Sequence, residues 1–487
     1  MTDSALAKSA RGSAYNIAVS AITIILGLTR SVLLMRFLEP AQFGVVALAL
    51  FFATFVSPFS VFGIDGAIIQ NRNASTKTFS THFVLRLVFS LAILGIGFLV
   101  SPILRRVYGA AVIDVFLVLL FVNVLQAAYS TPTTIIRREL RFGAIAALNL
   151  AASLGMTITA PLLAYLGAGV WSLVAEQAIG PAIRWIGLWV ILRPWQLSLR
   201  FDWDEAKSSL KFGSQVLSSN VLGILLDRFD DFWAGTALGT IALGFYSRAY
   251  EIAQYPERVL ATPITNVFFS TYASLQENST ELSKAFFRSS SFLIRVGFLF
   301  AIVLAIAAPE ITLILFGRAW VPIIPIFRLM LIYVVLDPLY SNLSYLMVGV
   351  GHPEVLTRVR LLQAALFIAA VIGFATLWNT NGIAMAANLM MLTGTVILLI
   401  QSRNFVRFSF SRMFLWPTVT VILSALAGLL LITNFPLSNN WLSLASKTII
   451  VSGIYISILY FAERDYLSEY ISQILLPLWH RIAKVLA

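Results

Sequence analysis

Residues 14–36 read AYNIAVSAITIILGLTRSVLLMR. The stretch is long and apolar enough to cross the hydrocarbon of a bilayer as a helix, which takes about 20 residues. Along it, Asn16, Ser20, Thr23, Gly27 and Arg30 recur every three or four positions. Residues so spaced share one helix face, so the segment carries a continuous polar stripe on an otherwise bulky apolar surface. A charged group at membrane depth costs about 2.5–3.5 kcal/mol on insertion scales and normally faces a bundle interior or a water-filled cavity. Lipid is therefore not what this face meets, and a bundle of many such spans is expected around it.

The rest of the chain agrees. Of 487 residues, 59% are hydrophobic and 11% charged, against roughly 45–50% and about 25% in soluble domains, which excludes a soluble single-core protein. Fourteen spans are expected, at 14–36, 42–64, 82–103, 112–132, 143–166, 169–192, 213–236, 241–266, 286–308, 321–347, 355–378, 382–402, 413–433 and 442–462. The polar, mildly basic start from Met1 to Arg11 is followed by an apolar stretch too long for a signal peptide, so it reads as a retained first span. The tail from Arg464 to Ala487 carries Leu467, Ile471, Ile474, Leu478, Ile482 and Val485 at helical spacing and is expected to lie on the membrane surface.

Cytoplasmic loops retain an excess of Lys and Arg. With the N-terminus inside, most of the 34 basic residues fall in cytoplasmic segments or at the span ends beside them, and few fall on the opposite side. Both termini are therefore expected to be cytoplasmic. The net charge of +12 needs no nucleic acid to account for it.

A weak internal repeat is visible at an offset of about 200 residues. Gly12-Ser13 opening the first span corresponds to Gly213-Ser214 opening the seventh, and the turn into Phe43-Gly44 corresponds to that into Gly244-Phe245. Six spans per copy is an even number, so both copies enter from the same side and a parallel pseudo-twofold along the membrane normal is expected. The expected organisation is an N-terminal lobe over 1–192, a cytoplasmic linker over 193–212, a C-terminal lobe over 213–403, an appended helix pair over 404–463 and an amphipathic tail over 464–487.

Ionisable residues within the spans point to the site. The eighth span repeats the stripe of the first with Arg248, Glu251, Tyr255, Arg258, Thr262 and Asn266; the seventh offers Asn220, Gly223, Asp227 and Asp230; the fourth offers Asn123, Gln126, Ser130 and Thr133; the tenth offers Asp337, Ser341 and Tyr345. Together they predict a wet polar cavity with several arginines in its wall. The guanidinium fork bonds phosphate oxygens bidentately and stays charged at any physiological pH, which suits an anionic, hydroxyl-rich cargo. Arg30, Arg248 and Arg258 lie deepest on the stripes. Arg184 shares a face with Glu176 around Gly180-Pro181 and reads either as a cargo contact or as half of a structural pair. Arg86 and Arg295, within a turn or two of a cytoplasmic helix end, are expected to snorkel to the interface; Arg328, near an outer end, reads either as snorkelling or as facing the bundle interior. Arg228 is expected to pair with Asp230 or Asp231.

Other chemistries find little support. There is no cysteine, hence no disulfide and no thiolate site, and His82, His352 and His480 show no metal-ligand spacing. No Walker-type loop, no catalytic constellation and no loop long enough to house a donor domain is present, so neither an enzyme nor a metal or organic cofactor is expected.

Several motifs carry a resemblance. Arg36-Phe37-Leu38-Glu39-Pro40 runs on through Phe43-Gly44, and Gly63-Ile64-Asp65-Gly66-Ala67-Ile68-Ile69-Gln70 follows the second span. Ile136-Arg137-Arg138-Glu139-Leu140-Arg141-Phe142, Leu275-Gln276, Leu315-Phe316-Gly317-Arg318-Ala319-Trp320-Val321-Pro322 and Gly349-Val350-Gly351-His352-Pro353 complete the set. With them the chain resembles the Wzx-type polysaccharide exporters and flippases of the multidrug/oligosaccharidyl-lipid/polysaccharide superfamily, on the branch of colanic-acid, succinoglycan and xanthan unit exporters. The resemblance implies an all-α, V-shaped bundle of two six-helix lobes. It also implies the flipping of an undecaprenyl-diphosphate-linked oligosaccharide across a bacterial inner membrane by alternating access, in concert with a polysaccharide polymerase and glycosyltransferases. On this reading Arg30, Arg248 and Arg258 hold phosphate, Asn16, Gln126 and Tyr255 contact sugar, and Arg184 is a further substrate-binding candidate. Asp227, Glu251 and Asp337 are the expected sites for a coupling proton or sodium ion, since burial can raise a carboxyl pKa into the working range. The rival readings are an ion-coupled multidrug or cation antiporter on the same scaffold, a polytopic glycan polymerase or ligase, and a non-transporting assembly scaffold.

Overall fold

The computed structural model describes residues 3–70, 74–258, 262–434 and 439–464; the side chains of 3–18, 67, 69–70, 216, 218–219, 262–267 and 431–434 lie outside the description. The described residues are predominantly helical and contain no strand. In chain order the helices are α1 (Asp3–Phe37), α2 (Pro40–Val61), α3 (Ile64–Gln70), α4 (Thr76–Tyr108), α5 (Ala110–Arg138), α6 (Phe142–Tyr165), α7 (Val170–Ile186), α8 (Trp203–Trp233), α9 (Thr240–Ala253), α10 (Thr262–Ser274), α11 (Ser279–Ile311), α12 (Ile323–Gly349), α13 (Pro353–Ser402), α14 (Phe410–Asn434) and α15 (Asn440–Ala462). Among the described residues ten helices are long and apolar enough to cross a membrane. They expose large apolar side chains such as Leu99 and Phe461, 81% and 80% accessible, as helices that face lipid do. The chain is an all-α, multi-pass membrane protein.

Local chemistry sets the helix ends. Pro40 at the first turn of α2 needs no N–H partner, and the Glu39 N–H donates to Gln42 Oε1 at 2.9 Å. Asp202 caps α8 by accepting from the N–H groups of Asp204 and Glu205 at 3.0 and 3.1 Å. The 50-residue α13 is bent by non-helical backbone at Trp378 and Asn379, which separates the expected spans at 355–378 and 382–402.

The helix expected over 241–266 is locally distorted at Gln254 and is helical again over 255–258, while 259–261 lie outside the described residues. α9 stops at Ala253 and the Gln254 N–H turns back to the carbonyls of Tyr250 and Glu251 at 3.2 and 3.3 Å. Pro256 has no N–H to continue the ladder. The polar stripe read across Arg248, Glu251, Tyr255 and Arg258 thus passes through this distorted turn, and the Arg258 N–H donates to the Gln254 carbonyl at 3.1 Å; the side chains of Thr262 and Asn266 lie outside the described residues.

The chain forms two compact units, Met1–Gly244 and Phe245–Ala487, so that their division falls within α9. In the first, α5 packs on α2, α4 and α7, α6 lies between α1 and α7, and α8 runs against α2, α3 and α4. Phe51 stacks on Phe232 at 4.9 Å along the α2–α8 seam. Glycines close both ends of that seam. A Cβ at Gly213 would lie 1.9 Å from the Phe62 carbonyl oxygen, one at Gly44 would lie 1.7 Å from that of Thr240, and one at Gly244 would lie 1.9 Å from that of Pro40. Gly44 and Gly244 belong to the two turns that the sequence repeat relates, and each lies against the backbone at the start of the other's helix.

In the second unit, α12 packs on α10, α11 and α13, and α11 carries α14 and α15. Tyr272, Phe286, Leu343, Met347 and Leu398 are fully buried in its core. Within that core Asn342 donates to Ser289 and Ser290 at 2.9 Å and accepts from Tyr272 at 2.9 Å, so the buried amide is satisfied. Ion pairs tie α11 to both ends of the final helix: Arg295 to Glu463, at 2.7 and 2.5 Å, and Glu310 to Lys447.

Candidate functional site

Arg30 projects from α1 and donates through Nε to Glu176 Oε1 of α7 at 2.7 Å, with the two side chains 15% and 20% accessible. Its Nη1 is buried and makes no hydrogen bond among the described residues. The other polar groups of that stripe are engaged or open: Thr23 donates to its own helix at Val19, 2.8 Å away, and Ser20 is exposed. The Asn16 side chain lies outside the described residues. On α7 the Arg184 Nε donates to Asn149 Oδ1 of α6 at 3.1 Å, so Arg184 and Glu176 each reach a partner on another helix. Arg30 thus satisfies one edge of its fork, while the buried Nη1 is a donor without a hydrogen bond among the described residues.

α8 contributes a polar open face. Asn220 and Asp227 are exposed and nothing stands within 4 Å of a Cβ at Gly223. One turn on, Asp230 and Asp231 are buried, and the Arg228 Nη1 donates to Asp231 at 3.0 Å, the pairing the sequence suggested. Gln126 is exposed on α5, while its neighbour Asn123 is occupied, accepting from Ser60 at 3.0 Å.

In the second unit Arg248 pairs with Glu251 at 2.5 Å, one turn along α9. Arg258 donates to Gln254 at 2.8 Å and lies 5.8 Å above the Tyr255 ring, a cation–π distance. Asp337 is half-buried on α12, next to Pro338. Arg30 thus stands in one compact unit and Arg248 and Arg258 in the other.

Two arginines depart from expectation. Arg86 and Arg295 do not snorkel: they are 5% and 6% accessible because a helix-end cation that finds an acid and backbone carbonyls within the bundle has no need to reach water. Arg295 is held by Glu463. Arg86 donates to the Ser60 carbonyl at 2.9 Å and to Ser130 at 3.2 Å and stands 3.4 Å from Asp65 Oδ1. Arg328 is exposed and donates to the Ala305 carbonyl at 3.0 Å.

Around Arg86 lies a network that sequence reasoning missed. His82 Nε2 is 2.9 Å from Asp65 Oδ1 and its Nδ1 is 2.8 Å from Thr131 Oγ1, so α3, α4 and α5 meet at one imidazole. Burial pushes the Asp65 carboxyl up, but the His82 hydrogen bond and the Arg86 and Arg137 charges outweigh it and hold it below the usual carboxylate range. The available signals were Asp65 inside the Gly63–Gln70 motif and the spacing of His82 and Arg86, one turn apart.

Comparison with known proteins places the chain. The family described as polysaccharide biosynthesis protein matches over residues 33–325. The chain is 23% identical over 399 residues to the lipopolysaccharide biosynthesis protein WzxC of Escherichia coli (strain K12), covering 80% of each. It is 25% identical over 450 residues to the succinoglycan biosynthesis transport protein ExoT of Rhizobium meliloti (strain 1021), covering 89% of each. Among solved structures the fold is similar to the lipid II flippase MurJ in an inward closed conformation, with a TM-score of 0.77 and 12% identity over 93% of this chain and 99% of that one. It is also similar to an inward-facing multidrug resistance MATE family transporter of the MOP superfamily, with a TM-score of 0.59 and 15% identity over 80% of this chain and 97% of that one.

Proposed function

Because the chain belongs to the family of polysaccharide biosynthesis proteins, we propose that it is a flippase, not an enzyme, that carries an undecaprenyl-diphosphate-linked oligosaccharide across a bacterial inner membrane with both termini on the cytoplasmic side. The names of its relatives support a transport role in surface-polysaccharide synthesis. The observation that carries the reading is Arg30: a guanidinium at membrane depth with a buried Nη1 that makes no hydrogen bond among the described residues. Taking a diphosphate through hydrocarbon without compensating donors is prohibitive, and a fixed guanidinium replaces water as the donor. The lipid tail stays in the bilayer while the head group passes.

In this proposal Arg30, Arg248, Arg258 and Arg184 hold phosphate, and Asn16, Gln126 and Tyr255 contact sugar. Asp227, Glu251 and Asp337 are the proposed carriers of a coupling proton or sodium ion; Asp227 lies on the open face of α8. A polymerase and glycosyltransferases are the proposed partners upstream and downstream. Arg30→Ala or Arg248→Ala abolishes polymer export in cells while leaving the protein inserted at its normal level. Near-normal export by both variants removes them from the site.

A further inference from the structure

Two adjoining cavities of about 520 and 540 Å³ share Phe287 and Arg412 at the end of the second unit where α11 and α14 begin and α15 ends. Their walls carry an excess of positive charge. Glu463 is the acid in the lining, and it is spent on Arg295 in a buried pair. Lys284 is matched by Glu281 at 2.8 Å. Arg407, Arg412 and Arg464 form no ion pair among the described residues.

The backbone that presents two of these arginines is fixed. The Arg407 N–H donates to Ser283 Oγ at 2.8 Å, and the Arg412 N–H donates to Ser409 Oγ at 3.4 Å. In the same cavity as Arg412 and Arg464 stand Leu415, Trp416 and Phe461, which are 54%, 41% and 80% accessible. The niche is therefore cationic on one part of its wall and aromatic and aliphatic on the other.

We propose that this niche seats an anionic membrane phospholipid, with its phosphate on Arg412 and Arg464 and an acyl chain against Trp416 and Phe461. Guanidinium groups match phosphate oxygens in geometry and charge, and basic pockets between transmembrane helices bind acidic lipid head groups. A free phosphate satisfies the cations but leaves the apolar wall uncovered; a phospholipid meets both. The site lies on the helix pair α14–α15 and α11, apart from the residues assigned to cargo, and does not depend on that assignment. A lipid seated there bridges the start of α14 to the end of α15 and fastens the appended pair to the bundle.

The test is native mass spectrometry of the full chain, purified and exchanged into phosphatidylglycerol or phosphatidylcholine of the same acyl composition. The wild type retains phosphatidylglycerol at least tenfold over phosphatidylcholine, and the Arg412→Gln, Arg464→Gln double variant loses that excess. Equal retention of the two lipids by the wild type, or an undiminished excess in the double variant, overturns the proposal. Trp416→Ala keeps every charge and lowers phosphatidylglycerol retention several-fold, which covers the case of a double variant that does not fold; unchanged retention by Trp416→Ala overturns the acyl contact. In delipidated detergent, phosphatidylglycerol raises the melting temperature and inorganic phosphate does not. An equal shift from inorganic phosphate makes the ligand a free anion and overturns the lipid assignment.

Discussion

Arg30 and Glu176, 146 positions apart, meet at 2.7 Å between α1 and α7, and the pairing uses only one edge of the guanidinium. Glu176 keeps the cation in place at membrane depth, while the buried Nη1 makes no hydrogen bond among the described residues. An unsatisfied buried donor costs about 1–3 kcal/mol, more when charged, and such a cost is tolerated where a ligand repays it.

The reciprocal approach of Gly44 to Thr240 and of Gly244 to Pro40 leaves no room for a side chain. Gly44→Val or Gly244→Val therefore disfavours the conformation described here and favours one in which the starts of α2 and α9 part. Distance measurements between spin labels on these two helix starts are expected to shift to longer populations in either variant. An unchanged distribution contradicts a functional role for the clasp.

Arg295 and Glu463 are 7% and 8% accessible and bonded through two nitrogens. Removing one partner strands a buried charge, which costs about 3–5 kcal/mol, whereas replacing both with apolar residues is often near neutral. Arg295→Met alone is expected to lower the unfolding midpoint in detergent strongly, and Arg295→Met with Glu463→Leu to recover most of the loss.

The sequence made the helical bundle and the face of Arg30 legible because both depend on local spacing. Glu176 as its partner was not legible, since nothing near Arg30 in the chain encodes a contact with α7. The same limit explains Arg86 and Arg295: proximity to a helix end suggested snorkelling, while the acids that hold them, Asp65 on a short helix and Glu463 at the far end of α15, are brought close only by packing. Pro256 was visible, but its effect on the stripe from Arg248 to Arg258 depends on the turn made at Gln254. The repeat at Gly44 and Gly244 was legible as a pattern, though not as a contact.

Asp65 carries the pH dependence that lies outside the spans. A carboxyl held below its ordinary range stabilises fully above that range and loses its contribution as pH falls through the lowered value. Thermal stability is expected to hold from neutral pH down to about 5 and to decline below about 4, the usual aspartate value. Asp65→Asn removes that part of the acid decline and is less stable than the wild type at neutral pH. A variant with an unaltered acid limb contradicts the role of the His82–Asp65–Arg86 network.

The chain has no cysteine, so single introduced thiols report water access cleanly. Asn220→Cys, on the open face of α8, is expected to react with a membrane-impermeant maleimide, whereas Leu99→Cys, as exposed in the isolated bundle but facing lipid, is expected to stay unlabelled in intact membranes. Equal labelling of both positions removes the distinction between a wet face and a lipid face.

The central claim, that a fixed guanidinium at Arg30 carries a lipid-linked diphosphate through the membrane, is tested most directly in liposomes holding the purified protein and a defined undecaprenyl-diphosphate-linked oligosaccharide. Leaflet exchange is read by a membrane-impermeant sugar-modifying reagent, with and without an imposed ion gradient. The wild type is expected to exchange the lipid well above protein-free vesicles, and Arg30→Lys, which keeps the charge but loses the fork, to do so at least tenfold more slowly. Exchange no faster than in empty vesicles, or an Arg30→Lys rate equal to the wild type, contradicts the account.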